Sequence, residues 1–462
     1  MTQPATSERV DLLPELGTAD RLAVSARCTE GVLTSTSAFF DWLADRRSAH
    51  AQQVERIPFD RLSGWDFAPG TGDLRHRSGR FFSVHGLKVR SDFGPVGEWE
   101  QPIIRQPEHG ILGFAVREFD GVLHCLVQAK SEPGNVGGMQ LSPTVQATRS
   151  NYTRVHGGSP VPLLDVFRRP EPGRVLADVL QSEQGSWFWR KRNRNMVVEV
   201  GPGVEAGEDF CWLTLGQLGA LLSFPDLVNM DARTVLACLP DWRPHAGPDA
   251  GLHTDREIRS WLTGQRAERQ LSAERLPLQD LAGWHRTADA ITHESGRYFS
   301  IVAVHVGSHR REVPAWSQPL LRPHGDGLAA LLVKRIGGVR HALVNARSEP
   351  GFLDTVELGP TVQCTPANHA HLPPGDLPPH LDLVLGAPLA RTLFDTVLSE
   401  EGGRFHHAQS RYMIIEVDDA GPVGEGDTFR WLTERQLEEL LKYGGHLNVQ
   451  ARTLVAALRT VR

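Results

Sequence analysis

The sequence predicts an α+β protein built as two copies of one domain, with mixed or antiparallel sheets and flanking helices. Three observations carry this. The chain repeats itself at a nearly constant spacing. Each copy contains a hairpin signal. Each copy closes with a capped helix.

The repeat is the strongest of the three. Residues 128–151 read QAKSEPGNVGGMQLSPTVQATRSN and residues 345–368 read NARSEPGFLDTVELGPTVQCTPAN, with twelve of 24 positions identical at an offset of 217. SGRFFSV (78–84) answers SGRYFSI (295–301), and WEQPII (99–104) answers WSQPLL (316–321). QSEQGSWF (181–188) answers LSEEGGRF (398–405), and LVNMDARTVLACL (227–239) answers LNVQARTLVAAL (447–458). The offset drifts only to 219, so insertions are one or two residues long. Self-similarity over some 200 residues marks duplicated domains rather than a solenoid. We place an N-terminal segment at 1–37, the first copy at 38–239, a Pro/Gly-rich linker at 240–256 and the second copy at 257–462.

The elements follow in order. AFFDWLADRRSAHAQQVERI (38–57) and REIRSWLTGQRAERQL (256–271) read as amphipathic helices opening the copies. FAVREFDGVLHCLVQAK holds Asp-Gly between two apolar runs, and LLVKRIGGVRHALVNAR holds Gly-Gly there, both hairpin turns. MVVEV (196–200) and MIIEV (413–417) read as buried strands. Thr214 with Gln217, and Thr433 with Gln436, have capping-box spacing ahead of apolar periodic runs. Adjacent hairpins with peripheral helices give the α+β class.

Composition bounds function. The 462 residues carry a formal charge of −6, which argues against a bulk-basic nucleic-acid binder. No apolar run reaches the length of a membrane span, and the first residues lack a signal-peptide pattern, so neither membrane nor secretion is expected. Five scattered Cys without a CxxC fit a reducing cytoplasm. No dinucleotide fingerprint, Walker A sequence, G-x-S-x-G elbow or HExxH occurs. His369 with His371 and His406 with His407 make only a weak metal pattern, so no metal or cofactor is expected.

Four segments carry polar chemistry. Lys130-Ser131-Glu132 and Arg347-Ser348-Glu349 end the second hairpin strands, and alternate residues of a strand share a face. A structural ion pair explains this as readily as a tuned carboxylate does. PTVQATRSNYTRVHGG (143–158) supplies Arg149, Asn151, Tyr152, Arg154 and His156, donors suited to a diphosphate. The second copy keeps Gln363 in PTVQ but replaces both Arg and the Tyr. SWFWRKRNRNM (186–196) sets Trp187 and Trp189 beside four basic residues, against Arg404, Arg411 and Tyr412 in the second copy. A solvated turn is the plainer reading of that charge run. Trp99 with Gln101 and Trp316 with Gln318 are candidates to line a pocket, although a lone Trp is usually core.

These strings closely resemble the nucleotide-diphospho-hexose 2,3-dehydratases across both copies. The residues that carry the resemblance are QAKSEPGNVGGMQLSPTVQATRSNYTRVH, QSEQGSWFWRKRNRNMVVEV, SEPGFLDTVELGPTVQCTP and SEEGGRFHHAQSRYMIIEV. The resemblance implies a tandem pair of Nudix-like domains, a homodimer, and a dTDP-4-keto-6-deoxy-hexose substrate such as dTDP-4-keto-6-deoxyglucose. It also implies loss of water across C2 and C3. The Nudix box itself is absent, so pyrophosphate hydrolysis is not expected. Such a reaction needs a base for the C3 proton, a donor to the C4 oxygen, an acid for the leaving hydroxyl and a diphosphate clamp. Glu132 or Glu349 is the candidate base, tuned by Lys130 or Arg347. Tyr152, His124 or His341 is the candidate acid. Trp99, Gln101, Arg149, Asn151, Arg154, Trp187, Gln318, Gln363, Arg404 and Tyr412 are candidates for substrate binding. The copy that hosts the chemistry stays open, as do two rival functions: a non-catalytic dTDP-sugar-binding protein and a keto-sugar epimerase.

Overall fold

Both hairpins form where the turn residues place them. In a computed structural model that describes residues 17–461 except 51, 95, 154–158, 172–173, 241–250, 309–312, 420 and 422, strand Gly110–Phe119 turns into Val122–Ser131, and Gly327–Ile336 into Val339–Ser348. Asp120 and Gly121 have φ of 47° and 79°, and Gly337 and Gly338 have φ of 58° and 82°. Two consecutive left-handed residues are what the tight turn between right-twisted strands requires.

Each hairpin is the centre of a seven-stranded mixed sheet. In the first copy the order is Val175–Ser182, Arg192–Glu199, Gly110–Phe119, Val122–Ser131, Phe210–Thr214, with Met139–Ser142 and Val145–Ala147 pairing on the hairpin. Arg192–Glu199 runs parallel to Gly110–Phe119 and the remaining pairs are antiparallel. The second copy repeats this order with Thr392–Ser399, Gln409–Glu416, Gly327–Ile336, Val339–Ser348 and Phe429–Thr433. The fold is thus α+β with mixed sheets in two repeated halves.

Two five-stranded antiparallel sheets complete the copies, and they do so by exchange. Gln52–Ile57, from the first copy, pairs with Phe299–Ser308 of the second over six residues. Leu271–Leu276, from the second copy, pairs with Ser83–Ser91 of the first over six residues. The sequence assigned Gln52–Ile57 to the first opening helix, while the second helical pattern ended at Leu271, where the second strand begins. Those helices are shorter, Thr36–Ala49 and Asp255–Glu268. Helix propensity is a weak prior, and a row of backbone partners on another sheet overrides it.

Helices Met230–Ala237 and Val449–Leu458 pack against each other at the centre. Asn229 and Asn448 cap them by accepting the Ala232 and Ala451 N–H at 2.8 and 2.9 Å, worth about 1 kcal/mol each. Both capping boxes read from the sequence form, at Thr214 and Thr433. The largest apolar cluster runs through both halves, from Phe114 and Leu213 to Leu432 and Leu454. No helix among the described residues is long and apolar enough to cross a membrane.

Candidate active site

The S-E-P-G element of each copy docks the S-E-x-G turn of the other. Gly134 N–H donates to the Gly402 carbonyl at 2.7 Å, and His407 N–H donates to the Gly134 carbonyl at 2.8 Å. The mirror contacts are Gly351 N–H to the Gly185 carbonyl at 2.7 Å and Arg190 N–H to the Gly351 carbonyl at 2.8 Å. A Cβ on Gly134 would stand 1.6 Å from the Phe405 carbonyl oxygen, and one on Gly351 would stand 1.8 Å from that of Phe188. Glycine is needed here for close backbone approach. Each site is therefore assembled from both copies.

The first copy's sheet, the aromatic end of its smaller sheet and the turn around Glu401 enclose a cavity of about 430 Å³, a size typical of small-molecule sites. Trp65, His76, Phe81 and Phe82 form one wall and Trp316 with Gln318 another. Four carboxylates, Glu132, Glu183, Asp231 and Glu401, face three cations, Lys130, Lys191 and Arg404. Lys130 Nζ lies 3.2 Å from Glu132 Oε1 and donates to the Gln146 carbonyl at 2.7 Å. Arg404 stacks on Phe82, 4.3 Å from its ring centre, and donates to the Gly403 carbonyl at 2.8 Å. Gln318 Nε2 holds that same carbonyl at 2.7 Å.

The cavity concentrates unsatisfied polar atoms. Glu183 Oε2, Asp231 Oδ1, Glu401 Oε2, Arg404 Nε and Gln106 Nε2 are buried without a hydrogen-bond partner among the described residues. Buried polar groups are normally paired, so five orphans around one cavity mark it as built for a polar ligand. Burial perturbs the ionisation of these groups. It raises Glu183, and it raises Asp231 well above the usual carboxylate range, with Glu183 and Glu401 adding to the latter. Glu401 is pushed up to about 7, by burial first and by Glu132 and Glu183 against the pull of Arg404. Lys191 is pulled down to about 8 by burial, opposed by Glu183. A cleft that holds several such shifts is a candidate reaction site.

The matching place in the second copy carries fewer charges and holds its glutamate fast. Glu349 Oε1 accepts from Arg347 Nε at 2.7 Å and Gln363 Nε2 at 3.0 Å, and its Oε2 accepts the Ser186 N–H at 3.0 Å. Glu400, the counterpart of Glu183, accepts from Tyr412 Oη and Gln184 Nε2, both at 2.9 Å. At the repeat offset, Lys191 corresponds to Ala408, Asp231 to Gln450, Glu401 to Gln184 and Arg404 to Trp187. Four charged groups of the first cavity thus have uncharged counterparts.

Of the residues singled out from sequence, Lys130, Glu132, Asn151, Gln318 and Arg404 line the cavity together. Arg347, Glu349 and Gln363 form the second, closed network. Tyr412 is fully buried in the core rather than at a site surface. His124 and His341 do not line the cavity. Each is fully buried, donates from Nδ1 to the carbonyl two residues back, and accepts a backbone N–H at Nε2, from Val32 and Leu252 respectively. Tyr152 packs its ring beneath the Arg168 guanidinium at 5.6 Å, away from the cavity lining, and Arg149 on the same short helix is exposed. Trp99 donates to Gln101 Oε1 at 2.8 Å, and Gln101 donates to the Ser186 carbonyl at 2.8 Å, so this pair braces the opposite turn. Trp187 stacks edge-on against Phe405 at 4.6 Å. Arg154 and His156 lie outside the described residues. The basic run divides: Lys191 turns inward to the Glu108 carbonyl, Arg190 lies over Trp189 at 4.7 Å, and Arg194 forms a surface pair with Asp178.

Sequence reasoning missed Glu183, Lys191, Asp231 and Glu401. For Lys191, Asp231 and Glu401 the signal lay in aligned positions where one copy is charged and the other is not, whereas Glu183 aligns with Glu400 and gave no such contrast. Among the described residues no group of three or more His, Cys, Asp or Glu is arranged to hold a metal ion.

The sequence model of the NDP-hexose 2,3-dehydratase family matches residues 36–239 and again 255–458. The chain is 51% identical over 447 residues to a protein of Amycolatopsis orientalis, covering 95% of this chain and 93% of that one. It is 50% identical over 445 residues to a protein of Saccharopolyspora spinosa, covering 92% of each. It is 49% identical over 438 residues to a protein of Streptomyces violaceoruber, covering 93% of this chain and 98% of that one. All three relatives are named dTDP-4-dehydro-6-deoxy-alpha-D-glucopyranose 2,3-dehydratase.

Proposed function

This chain belongs to the NDP-hexose 2,3-dehydratase family, and from that premise we propose that it removes water across C2 and C3 of dTDP-4-dehydro-6-deoxyglucose in the first copy's cavity. The observation that supports the placement is the set of charged groups with orphaned buried atoms around that cavity, set against a second site where Glu349 is bonded on both oxygens and the matching orphans are uncharged amides.

The C4 ketone makes the C3 proton acidic. Glu132, with Lys130 Nζ at 3.2 Å, takes that proton. The electron pair moves onto the C4 oxygen, where the cavity's cations and protonated carboxyls offer donors. Collapse of the enolate forms the C2=C3 bond, restores the C4 carbonyl and expels the C2 oxygen, which leaves as water once protonated. The product enol gains a proton at C2 and loses one from the C3 hydroxyl, giving a 3,4-diketo-2,6-dideoxy sugar. The aromatic wall of Trp65, His76, Phe81 and Phe82 suits the nucleotide base. Arg404 and Asn151 serve the diphosphate, with Arg149 and Arg154 of the same segment as further candidates.

The finer assignments belong to the same reading. Residues 38–239 and 257–462 are two Nudix-like copies that form a homodimer with a second chain, which light scattering checks. Five free thiols suit a reducing cytoplasm. The experiment that tests the function is proton NMR with mass analysis of dTDP-4-dehydro-6-deoxyglucose and the protein in heavy water. The dehydratase reading requires a product lighter by one water with solvent deuterium at C2. Deuterium exchange at C3 or C5 without water loss makes it an epimerase. Binding of dTDP without any turnover makes it a binding protein.

A further inference from the structure

We propose that Glu401, carried into the first copy's cavity on the second copy's turn, is the catalytic acid that protonates the departing C2 hydroxyl. This rests on the dehydratase reading above.

The geometry separates Glu401 from the other carboxylates. Glu132 is ion-paired with Lys130 at 3.2 Å. Glu183 Oε1 accepts from Asn193 Nδ2 at 2.5 Å, and Glu183 and Asp231 each keep an orphaned oxygen as Glu401 does, so what sets Glu401 apart is its approach to Glu132. Glu401 accepts the Gly403 N–H at Oε1 at 2.9 Å, which fixes its carboxyl, and leaves Oε2 buried without a partner. A point 2.5 Å from Glu401 Oε1 lies 3.5 Å from Glu132 Oε2, where a Cβ on Gly403 would stand, so both carboxyls face one small volume. An acid and a base facing adjacent carbons is what this elimination needs.

The surroundings set its protonation. Arg404 on its own turn, Glu132 at the end of Val122–Ser131, Glu183 after Val175–Ser182, Lys191 before Arg192–Glu199 and Asp231 in Met230–Ala237 all face it. Burial and the two nearest carboxylates outweigh Arg404, so Glu401 titrates at about 7. Such a group gives up and regains a proton at neutral pH. The repeat supplies an internal contrast, since Gln184 stands at the matching place and has no proton to give.

The step balances. Glu132 takes the C3 proton, and the enolate electrons form the C2=C3 bond. The C2–O bond breaks, and the oxygen leaves with the Glu401 proton as water. Glu132 ends protonated and Glu401 ionised, and one proton passed between them or through solvent restores both.

The test is Glu401→Gln, which keeps an acceptor for the Gly403 N–H, incubated with dTDP-4-dehydro-6-deoxyglucose in heavy water and followed by proton NMR. Water loss is expected to fall at least about 100-fold, while the C3 hydrogen still exchanges for deuterium. Glu132→Gln is expected to lose both. Glu401→Asp recovers part of the elimination, and calorimetric binding of dTDP confirms that each variant folds. Elimination by Glu401→Gln at the wild-type rate overturns the proposal. So does loss of C3 exchange in a variant that still binds dTDP, because that behaviour belongs to a base. If the wild-type protein itself releases no water, the dehydratase reading falls and this proposal with it.

Discussion

Glu132 and Glu349 end equivalent strands two residues after equivalent cations, yet their surroundings give them different work. Glu349 is locked by Arg347, Gln363 and the Ser186 N–H and has almost no exposure. Glu132 faces a cavity. Glu132→Gln is therefore expected to lose at least about 100-fold in kcat with dTDP affinity retained. Glu349→Ala takes an acceptor from the half-exposed Arg347 and from the Ser186 N–H, a loss of about 2 kcal/mol. Its signature is a lowered denaturation midpoint with kcat within a few-fold of wild type. The pH profile follows from Glu401. As the acid it must be protonated, so kcat is expected to fall as pH rises through about 7, and this limb should vanish in the residual activity of Glu401→Gln. The repeated Lys/Arg-Ser-Glu pattern was legible in the sequence, because two-residue spacing on a strand fixes a shared face. Which glutamate stays open to a cavity was not legible, because that depends on what the opposite turn presents.

At the level of elements, hairpins and caps were the readable parts. Asp120-Gly121 and Gly337-Gly338 turn where they must, since their preference is local. Thr214 and Thr433 cap as spaced. The strand Gln52–Ile57 was hidden behind a helical pattern and Leu271–Leu276 was not read at all, since their partners lie 180 or more residues away. The glycines of S-E-P-G looked like turn residues, and their stronger constraint is contact with the other copy. Gly134→Ala is expected to destabilise the fold by about 3 kcal/mol and to displace Glu401 and Arg404, read as a lower melting temperature with reduced kcat. A milder change tests the buried carboxyls. Glu357 is buried, accepts from Ser182 Oγ at 2.5 Å, and is pushed by burial up to about 7. Gln140 holds the matching place and donates to Ser399 Oγ at 2.6 Å, so an amide fits there. The folded state binds the Glu357 proton more tightly than the unfolded chain does. Its contribution is complete at acid pH and is lost as pH rises through about 7. Glu357→Gln is expected to match the wild-type stability at pH 4 and to exceed it at pH 8 by at most about 3 kcal/mol, read as a higher melting temperature at the higher pH.

Across the whole molecule, the copies are joined by more than a linker. Arg233 and Arg452 are fully buried at the central helix pair, and each reaches into the other half. Arg233 donates to the Ser399 carbonyl at 2.7 Å, and Arg452 donates to the Ser182 carbonyl at 2.5 Å and to Thr234 Oγ1 at 2.6 Å. Burying a guanidinium costs several kcal/mol unless it is bonded all round, so these residues make each half depend on the other. Together with the exchanged strands, they imply that residues 1–250 and 251–462 expressed separately will not fold. Co-expressed, the two pieces are expected to restore activity, read by size-exclusion chromatography and turnover. Two halves that each fold alone as monomers would contradict this. By itself the sequence determined that there are two copies, where the hairpins and caps fall, and which family the chain resembles, because these are encoded in local spacing and in long matching strings. The tertiary structure alone decided that the strands are exchanged, that each site is built from both copies, and that the first site gathers four carboxylates and three cations around a cavity. Those outcomes depend on which side chains meet across the molecule, and on how much water is excluded where they meet.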